Sequence, residues 1–157
     1  MGDQSPITLD KLMCFAVYST NLALNRVYQP LLDEMGLTYP QYLVLILLLE
    51  QDGLTVGEIS ERLFIDASTT TPLLKRLESH GYVVRVRSSE DQRQVHVRVT
   101  PQARQLREGI DSLYPQLLCS AGLDETRLRG LKQELEAVRS ALTARCAIRA
   151  VTPARNG

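Results

Sequence analysis

The hydrophobic pattern of the chain predicts mostly helices, with one short segment of strands. Apolar residues at helical spacing predict a first helix over residues 9–32, and an intensely apolar run predicts a second over residues 40–52. Gly36 and Gly53 stand where these two helices should end. The run LVLILLL within the second helix is too short to span a membrane, so it predicts a buried core helix.

The segment from Thr55 to Thr100 has the order helix, turn, helix and β-ribbon. TVGEISERL predicts a short amphipathic helix, and FIDAS connects it to a second helix over Thr69–Ser79. The inward face of this second helix has the expected spacing and comprises Thr70, Leu73, Leu74 and Leu77. Pro72 removes a helical hydrogen bond, so it predicts a slight kink or a helix that begins late.

Two strands of alternating residues follow, YVVRVR and QVHVRVT, joined by the polar loop SSEDQR. In the first strand Val84 and Val86 alternate with Arg85 and Arg87. Strict alternation predicts a half-buried ribbon that turns its valines inward and its polar side chains outward. Helix, turn, helix and ribbon together are typical of a winged helix-turn-helix, whose second helix enters the major groove of DNA.

The rest of the chain predicts further helices. Thr100 is a candidate cap for a helix that starts at Pro101 and is interrupted at Pro115, and Gly122 separates it from a last helix over residues 124–146. The last helix carries a long apolar stripe made of Leu128, Leu131, Leu135, Val138 and Leu142. This stripe fits either packing within the chain or a two-fold homodimer formed by both ends of the chain.

We therefore predict a mainly α protein with a small β-ribbon, an α+β fold. Residues 1–157 form a single domain in which residues 40–100 are the winged helix-turn-helix, and residues 8–36 and 101–148 are dimerisation helices. Dimerisation also suits DNA binding, because it places two recognition helices one turn apart on a pseudo-palindromic operator.

Charge is unevenly distributed in a chain that is neutral overall. Residues 67–100 carry six Lys/Arg against three Asp/Glu, whereas residues 1–54 carry two basic and six acidic residues. This asymmetry predicts a basic patch for phosphate contacts with double-stranded DNA. The candidate DNA-binding residues are Ser68, Thr69, Thr70, Thr71, Lys75, Arg76, Arg85, Arg87, Asp91 and Arg93. Arg93 is best placed to probe a minor groove, and Asp91 is predicted to orient nearby arginines by pairing with them.

Composition argues against several other functions. Cys14, Cys119 and Cys146 form no CxxC pair and have no histidine at ligand spacing, so we predict no metal and no cofactor. Without a membrane-length apolar run or a signal pattern in residues 1–8, we expect a soluble cytoplasmic protein with reduced thiols and no membrane partner. A thiol peroxidase is an interpretation from a different class of protein. The residue setting of a peroxidatic cysteine is missing, however, so we predict that the protein is not an enzyme.

From about Leu9 to the last helix, the chain resembles the MarR-type transcriptional repressors. The most specific pieces are TPLLKRLE followed by GYVVR, and the DQR of the wing followed by VRVT. More narrowly, the chain is similar to the organic-hydroperoxide-sensing repressors of that family. This resemblance implies a reactive cysteine on the first helix, here Cys14 in LDKLMCFAVYS. It also implies tyrosines that close around its sulfur, here Tyr18, Tyr28 and Tyr39.

Cys119, in LYPQLLCSAGL, resembles the resolving cysteine of the two-cysteine members of this subfamily. The resemblance implies that an organic hydroperoxide oxidises Cys14 to a sulfenic acid, and that Cys119 of the other subunit then forms a disulfide with it. Cys146 has no counterpart in this pattern. A repressor of the same fold that is released by a small aromatic ligand, without cysteine oxidation, is the alternative interpretation.

General thiol chemistry agrees with a redox role. A thiolate attacks the peroxide bond, and hydrogen bonds from tyrosine hydroxyls favour a charged sulfur. The apolar neighbours of Cys14, which include Leu12, Phe15 and Val17, suit an alkyl or lipid hydroperoxide better than a small polar oxidant. A disulfide requires Cα atoms within about 7 Å, so two distant cysteines must be brought together by a movement that would misalign the recognition helices.

Overall fold

Helices make up most of the fold, and three short strands form its only described sheet. The computed structural model describes residues 6–87, 94–122 and 124–151, with side chains described as far as residue 145. A 3-10 helix at Leu9–Lys11 precedes the other elements. These are α1 (Met13–Glu34), α2 (Tyr39–Glu50), β1 (Leu54–Thr55), α3 (Val56–Leu63), α4 (Ala67–Ser79), β2 (Val83–Arg87), β3 (Val95–Val99), α5 (Pro101–Gln105), α6 (Arg107–Ala121) and α7 (Glu125–Val151).

The predicted fold class, mainly helical with a small β-ribbon, is confirmed by this element order. The chain forms two compact units, Met1–Leu117 and Leu118–Gly157. Within the described ranges, no helix combines the length and the apolar character that crossing a membrane requires.

Several helix boundaries are set by glycine or capping residues, and those at Gly36 and Thr100 agree with the prediction. Gly36 has a positive φ of 66° just beyond the end of α1. Thr55 and Glu58 form a capping box at the start of α3, because the side chain of each bonds the backbone N–H of the other. Thr100 accepts a hydrogen bond from the backbone N–H of Ala103 and so caps α5.

Other boundaries differ from the prediction. α4 begins at Ala67 and continues through Pro72, so of the two alternatives expected from Pro72 the late start is wrong. The side of α4 that carries Pro72 is exposed, which lets water satisfy the carbonyl that the proline leaves without a helical donor. The helix predicted from Pro101 is divided at Leu106 and continues through Pro115 as α6. α7 extends to residue 151, five positions beyond the predicted end.

The hydrophobic core is built around α2. Val44, Leu45 and Leu48 have no exposed surface, which confirms the prediction of a buried core helix. This helix contacts α1, α3, α4 and β3, whose core residues include Leu32, Ile59, Leu74, Leu77 and Val97. Full burial of each such side chain contributes about 1.5–3 kcal/mol. The recognition helix α4 is therefore held firmly from its inner side.

The sheet is antiparallel, with the strand order β1-β3-β2. The sequence did not predict β1, because a strand of two residues is too short to show alternation. In the β2–β3 pair the register sets Val83 opposite Val99, Arg85 opposite Val97 and Arg87 opposite Val95.

The prediction that β2 turns its alternating valines inward is wrong. Val84 and Val86 are 45% and 44% exposed, while Val83 is buried. Because successive side chains alternate between the two faces, Arg85 and Arg87 lie on the same face of the sheet as Val83. β2 leaves the core after its first residue, and its arginines extend past the edge of the core.

Candidate DNA-binding surface and redox-sensing cysteine

The outer face of α4 carries small hydroxyls near its start and cations in its second half. The side chains of this outer face are exposed, and we call them together the reading face. They are Ser68, Thr69, Thr71, Lys75 and Arg76. Thr69, Pro72, Leu73 and Arg76 line a shallow cavity of about 220 Å³ on the helix surface. Small hydroxyls permit close approach to base edges, and the longer cations reach phosphates. The five residues are thus placed as a DNA contact requires.

Thr70 is the exception among the predicted DNA-binding residues of α4. Its side chain is fully buried, and its hydroxyl oxygen lies 2.7 Å from the hydroxyl oxygen of Ser60 in α3. A side chain without exposed surface cannot contact DNA while the helix stays folded. The assignment of Thr70 to the DNA interface is therefore wrong, and its place on the inward face of α4 is the part of the prediction that holds.

The wing is tied to the recognition helix through Arg85. Its Nε and one terminal nitrogen both donate to the same carboxylate oxygen of Glu78, the Nε at 3.0 Å. This hydrogen bonding holds the pKa of the Glu78 carboxyl below its usual value. Arg87, at the end of β2, is exposed. Asp91 and Arg93 lie outside the described residues, so their predicted contacts stay predictions.

Sequence reasoning missed Glu78. Its signal was an acidic residue in the last turn of the recognition helix, close in sequence to the first arginine of the wing. Arg85 therefore has a structural partner, and its availability to DNA depends on that pair.

Asp52 connects the turn before β1 to β3 and α5. One carboxylate oxygen accepts from the backbone N–H of Val99, and the other accepts from Arg104, each at 2.9 Å. The ring Nδ1 of His96 lies 2.8 Å from the carbonyl oxygen of Gly53. Sequence reasoning missed this connection too, because the partners of Asp52 lie 47 and 52 positions away along the chain.

Cys14 lies in the first turn of α1, and its side chain is exposed. Tyr18 follows one turn later on the same side of the helix and is 60% exposed. Met13 and Val17 are exposed beside them. The start of α1 therefore presents a thiol within an apolar surface, as the sequence predicted.

Tyr28, Tyr39 and Tyr42 form an aromatic cluster between α1 and α2. Their ring centroids are 5.1, 5.7 and 5.8 Å apart. Burial raises the pKa of all three phenols, so their hydroxyls remain protonated hydrogen-bond donors at neutral pH. Sequence reasoning did not include Tyr42, although its position one helical turn after Tyr39 was the available signal.

This tyrosine cluster lies far from Cys14 of the same chain. At about 1.5 Å of rise per residue, Tyr28 is roughly 21 Å from Cys14 along α1. A hydrogen bond between the phenol and the sulfur requires contact, so the structure does not bring Tyr28 and Tyr39 to Cys14 within one chain. Of the three predicted tyrosines, Tyr18 is the one placed within about one turn of the thiol.

Cys119 lies near the end of α6 in the second compact unit, and its side chain is exposed. Cys146 lies in α7, and its side chain is outside the described part of the chain. Within residues 6–87, 94–122 and 124–145, no group of three His, Cys, Asp or Glu side chains is arranged to hold a metal ion.

A cavity of about 360 Å³ opens beside the tyrosine cluster. It is lined by Tyr42, Ile46, Glu50, Arg107, Ile110, Asp111 and Tyr114. The Nε of Arg107 donates to Asp111 at 2.8 Å, so the cation in its wall is already paired. The volume and the aromatic walls fit a small aromatic molecule.

The chain shares sequence with known transcriptional regulators. A family model described as transcriptional regulator SarA/Rot matches residues 26–110. The HTH-type transcriptional regulator TtmR of Methylorubrum extorquens (strain PA1) is 44% identical over 144 residues, which are 92% of this chain and 74% of TtmR. The organic hydroperoxide resistance transcriptional regulator of Bacillus subtilis (strain 168) is 39% identical over 125 residues, which are 80% of this chain and 83% of that protein.

Solved structures of a related regulator have the same fold. Reduced AbfR bound to DNA matches with a TM-score of 0.71 and 32% identity, over 86% of this chain and 94% of AbfR. AbfR, a protein of Staphylococcus epidermidis, also matches in a disulfide-formed state, with a TM-score of 0.62 and 31% identity over 83% of this chain and 91% of AbfR. The predicted winged helix-turn-helix is confirmed by this likeness.

Proposed function

Because the chain belongs to the SarA/Rot family of MarR-like winged-helix transcriptional regulators, we propose that it is a homodimeric repressor that organic hydroperoxides release from DNA. Because this is a family of DNA-binding transcriptional regulators, DNA binding and transcription regulation follow from membership in it. The observation that carries the redox part is Cys14, an exposed thiol in an apolar surface at the start of α1. The relative named for organic hydroperoxide resistance and the disulfide-formed state of AbfR support the same interpretation.

Both ends of the chain support a homodimer. At the start of α1, Met13, Val17 and Tyr18 are exposed, and in α7 Leu131, Leu135 and Leu142 are 49%, 45% and 58% exposed. Exposed apolar stripes of this kind are covered in a two-fold assembly, in which the interface is formed by the same surface from each copy. A dimer would also hold two reading faces at the spacing of a pseudo-palindromic duplex.

The proposed chemistry has two steps, each balanced. The Cys14 thiolate attacks the O–O bond of the hydroperoxide, takes up one oxygen as a sulfenic acid and releases the corresponding alcohol after protonation. The thiol of Cys119 from the second copy then displaces water from the sulfenic acid, which forms an intersubunit disulfide. The organic hydroperoxide is thus reduced, and the two thiols together supply both electrons.

The tyrosines take part in this scheme across the dimer. Tyr28 lies roughly 21 Å along α1 from the thiol of its own chain, and the ring of Tyr39 packs against that of Tyr28, so any contact that these two make with Cys14 comes from the partner copy. Their burial keeps the hydroxyls protonated, so they can donate to a charged sulfur. Tyr18 would contribute from the same chain as Cys14.

The test is electrophoresis without reductant, combined with DNA titration, after treatment with stoichiometric cumene hydroperoxide. We expect the wild type to run as a covalent dimer, to lose DNA, and to recover both its mobility and its DNA binding after dithiothreitol. Cys14→Ser should bind DNA as the wild type does and keep it after treatment. Cys119→Ser should stay monomeric on the gel, whereas Cys146→Ser should behave as the wild type.

Three outcomes would contradict the proposal in different ways. Release of DNA by treated Cys14→Ser would exclude Cys14 as the sensor. Cross-linking by Cys119→Ser but not by Cys146→Ser would move the resolving role to Cys146. Oxidation and release without any cross-link would leave Cys14 as a sensor completed by an external small thiol.

A second candidate function rests on the cavity of about 360 Å³ beside Tyr42. A small aromatic ligand bound there would touch α2 and α6 and release DNA without any oxidation. Under this alternative, a neutral small aromatic such as phenol should weaken DNA binding of Cys14→Ser as strongly as that of the wild type. A response to hydroperoxide alone, absent in Cys14→Ser, would exclude it.

A further inference from the structure

A buried pair of hydroxyls joins the two helices of the helix-turn-helix. The Oγ of Ser60 in α3 and the Oγ1 of Thr70 in α4 lie 2.7 Å apart. Ser60 is 8% exposed, and Thr70 is not exposed at all. Ile59, Leu74 and Leu77, the fully buried apolar residues of these two helices, form the surrounding core.

Each hydroxyl of the pair also lies within hydrogen-bond distance of a carbonyl oxygen of its own helix. Ser60 Oγ donates to the carbonyl oxygen of Val56 at 2.8 Å, and Thr70 Oγ1 is 3.2 Å from the carbonyl oxygen of Asp66. A hydroxyl has one proton, so the short Ser60–Val56 bond favours Thr70 as the donor between the helices. Apolar contacts tolerate sliding and rotation, whereas a hydrogen bond weakens steeply with angle. This bond therefore restricts how α4 can rotate against α3.

The position of Thr70 makes such a restriction relevant to DNA. Thr70 lies between Thr69 and Thr71, which are exposed on the reading face of α4. With 3.6 residues per turn, a rotation of α4 that displaces Thr70 displaces its two neighbours by the same angle. The first turn of the helix is also where the smallest reading-face side chains lie, and these tolerate least error in distance from a base edge.

We propose that the Ser60–Thr70 pair is a positioning element, which fixes the rotation of the recognition helix and thereby its discrimination between DNA sequences. The proposal rests on the DNA-binding part of the proposed function and is independent of cysteine oxidation. Thr70 acts through Thr69 and Thr71, without touching DNA itself.

The geometry offers variants that remove the bond and keep the fold. Thr70→Val preserves the shape of the side chain, and Ser60 keeps its bond to Val56, so no buried donor is left without a partner. Thr70→Ser keeps the hydroxyl. Ser79→Ala is the matched control, because Ser79 lies at the end of α4 outside the reading face, is exposed, and its hydroxyl bonds only the carbonyl of Arg76 in its own helix among the bonds described.

The experiment uses the full reduced protein and a duplex that the wild type selects from a random library, together with a scrambled duplex of the same composition. The readout is the ratio of the two affinities, measured beside the denaturant midpoint. We expect Thr70→Val to lower this ratio about tenfold, the factor that corresponds to losing one directional bond. Thr70→Ser should restore it, while Thr70→Val changes the affinity for the scrambled duplex little.

Four results would overturn the proposal. The first is a Thr70→Val protein with an unchanged ratio, which would leave the pair with a packing role. The second is a Thr70→Ser protein as impaired as Thr70→Val, since rescue by the hydroxyl is then missing. If Arg76→Ala loses affinity for both duplexes while Thr70→Val loses none, positioning fails but DNA binding stands. If the wild type selects no duplex from the library, both the positioning proposal and the DNA-binding part of the proposed function fail.

Discussion

Large apolar side chains are buried in one region of the molecule and exposed in another. They are buried in the winged unit, which comprises α3, α4, β2 and β3, and exposed in the terminal helix α7. In the winged unit Ile59, Leu74 and Leu77 have almost no exposed surface. In α7 Leu135 and Leu142, which lie two helical turns apart, are about half exposed. A leucine contributes about 1.5–3 kcal/mol only when it is fully buried. The winged unit therefore obtains its stability within one chain, whereas the stripe of α7 would gain the same contribution when a second copy covers it, as in the proposed homodimer.

The two regions also differ in how their helix ends and charges are held. α3 begins with the reciprocal Thr55–Glu58 capping box, and Glu78 of α4 pairs with Arg85 of the wing. The described ion pairs of α7, such as Glu125–Arg129, join residues of the same helix. Contacts between elements thus fix the shape of the reading surface, whereas contacts within one helix support α7 itself without fixing its neighbours.

The largest expected difference concerns equal truncations in the two regions. Leu77→Ala removes a fully buried side chain from the winged unit and should lower the free energy of unfolding by about 2–5 kcal/mol, because a cavity remains. Leu142→Ala, in a side chain that is 58% exposed, should cost less than about 1 kcal/mol when measured by denaturant at low protein concentration. Equal losses would contradict the contrast between the regions.

A charge placed on the stripe of α7 should separate association from folding. Leu135→Glu should raise the dimer dissociation constant at least tenfold, roughly 1.4 kcal/mol, because a carboxylate would be buried between two copies. Sedimentation velocity measures this constant, and DNA affinity should fall with it. Gln133→Glu adds the same charge beside the stripe and should leave the dimer intact. Unchanged association of Leu135→Glu would exclude the stripe from the interface.

Loss of a capping residue should have an intermediate effect, confined to the winged unit. Thr55→Ala removes the hydroxyl that bonds Glu58 and should cost about 0.5–2 kcal/mol of stability. Thr143→Ala in α7 removes a hydroxyl that bonds only the preceding turn among the described contacts, and it should not destabilise the protein. Chemical denaturation of both variants makes the comparison, which fails if Thr143→Ala is the more damaging.

The smallest expected effect is the pH dependence of the Glu78–Arg85 pair. The pKa of Glu78 is lower in the folded protein than its ordinary value of 4.5, so the pair stabilises the fold above that pH. This contribution is lost as the pH falls below 4.5 towards the folded pKa. Both side chains are about one-third exposed, so it amounts to less than about 1 kcal/mol.

Glu78→Gln should therefore flatten the decline of stability as the pH falls below 4.5, measured by thermal unfolding in buffers of equal ionic strength. Glu125→Gln, in the more exposed pair of α7, should leave the profile as it is. A wild-type decline in Glu78→Gln would show that the pair does not link α4 to the wing energetically.

Most of the fold was predictable because its signals are local. The glycine at Gly36, the capping pair at Thr55 and Glu58, and the apolar run of α2 each depend on residues within a few positions of one another. The outward-facing valines of β2 were not predictable, since the alternation is the same whichever face is buried. Where the core ends along the strand is decided by the packing of other elements.

In the candidate site, too, local features were predictable from the sequence, whereas contacts between elements were not. The sequence by itself determined a winged helix-turn-helix, its exposed face of hydroxyl and basic side chains, and a thiol on an apolar first helix. These features follow from the hydrophobic period, the charge and the residue type, all of which depend on residues that are close together in the sequence. Only the tertiary structure decided that Thr70 is buried against Ser60, that Arg85 is held by Glu78, and that Tyr28 is roughly 21 Å along α1 from Cys14. Each of these depends on which side of an element meets its neighbour, a choice made by the packing of the whole chain.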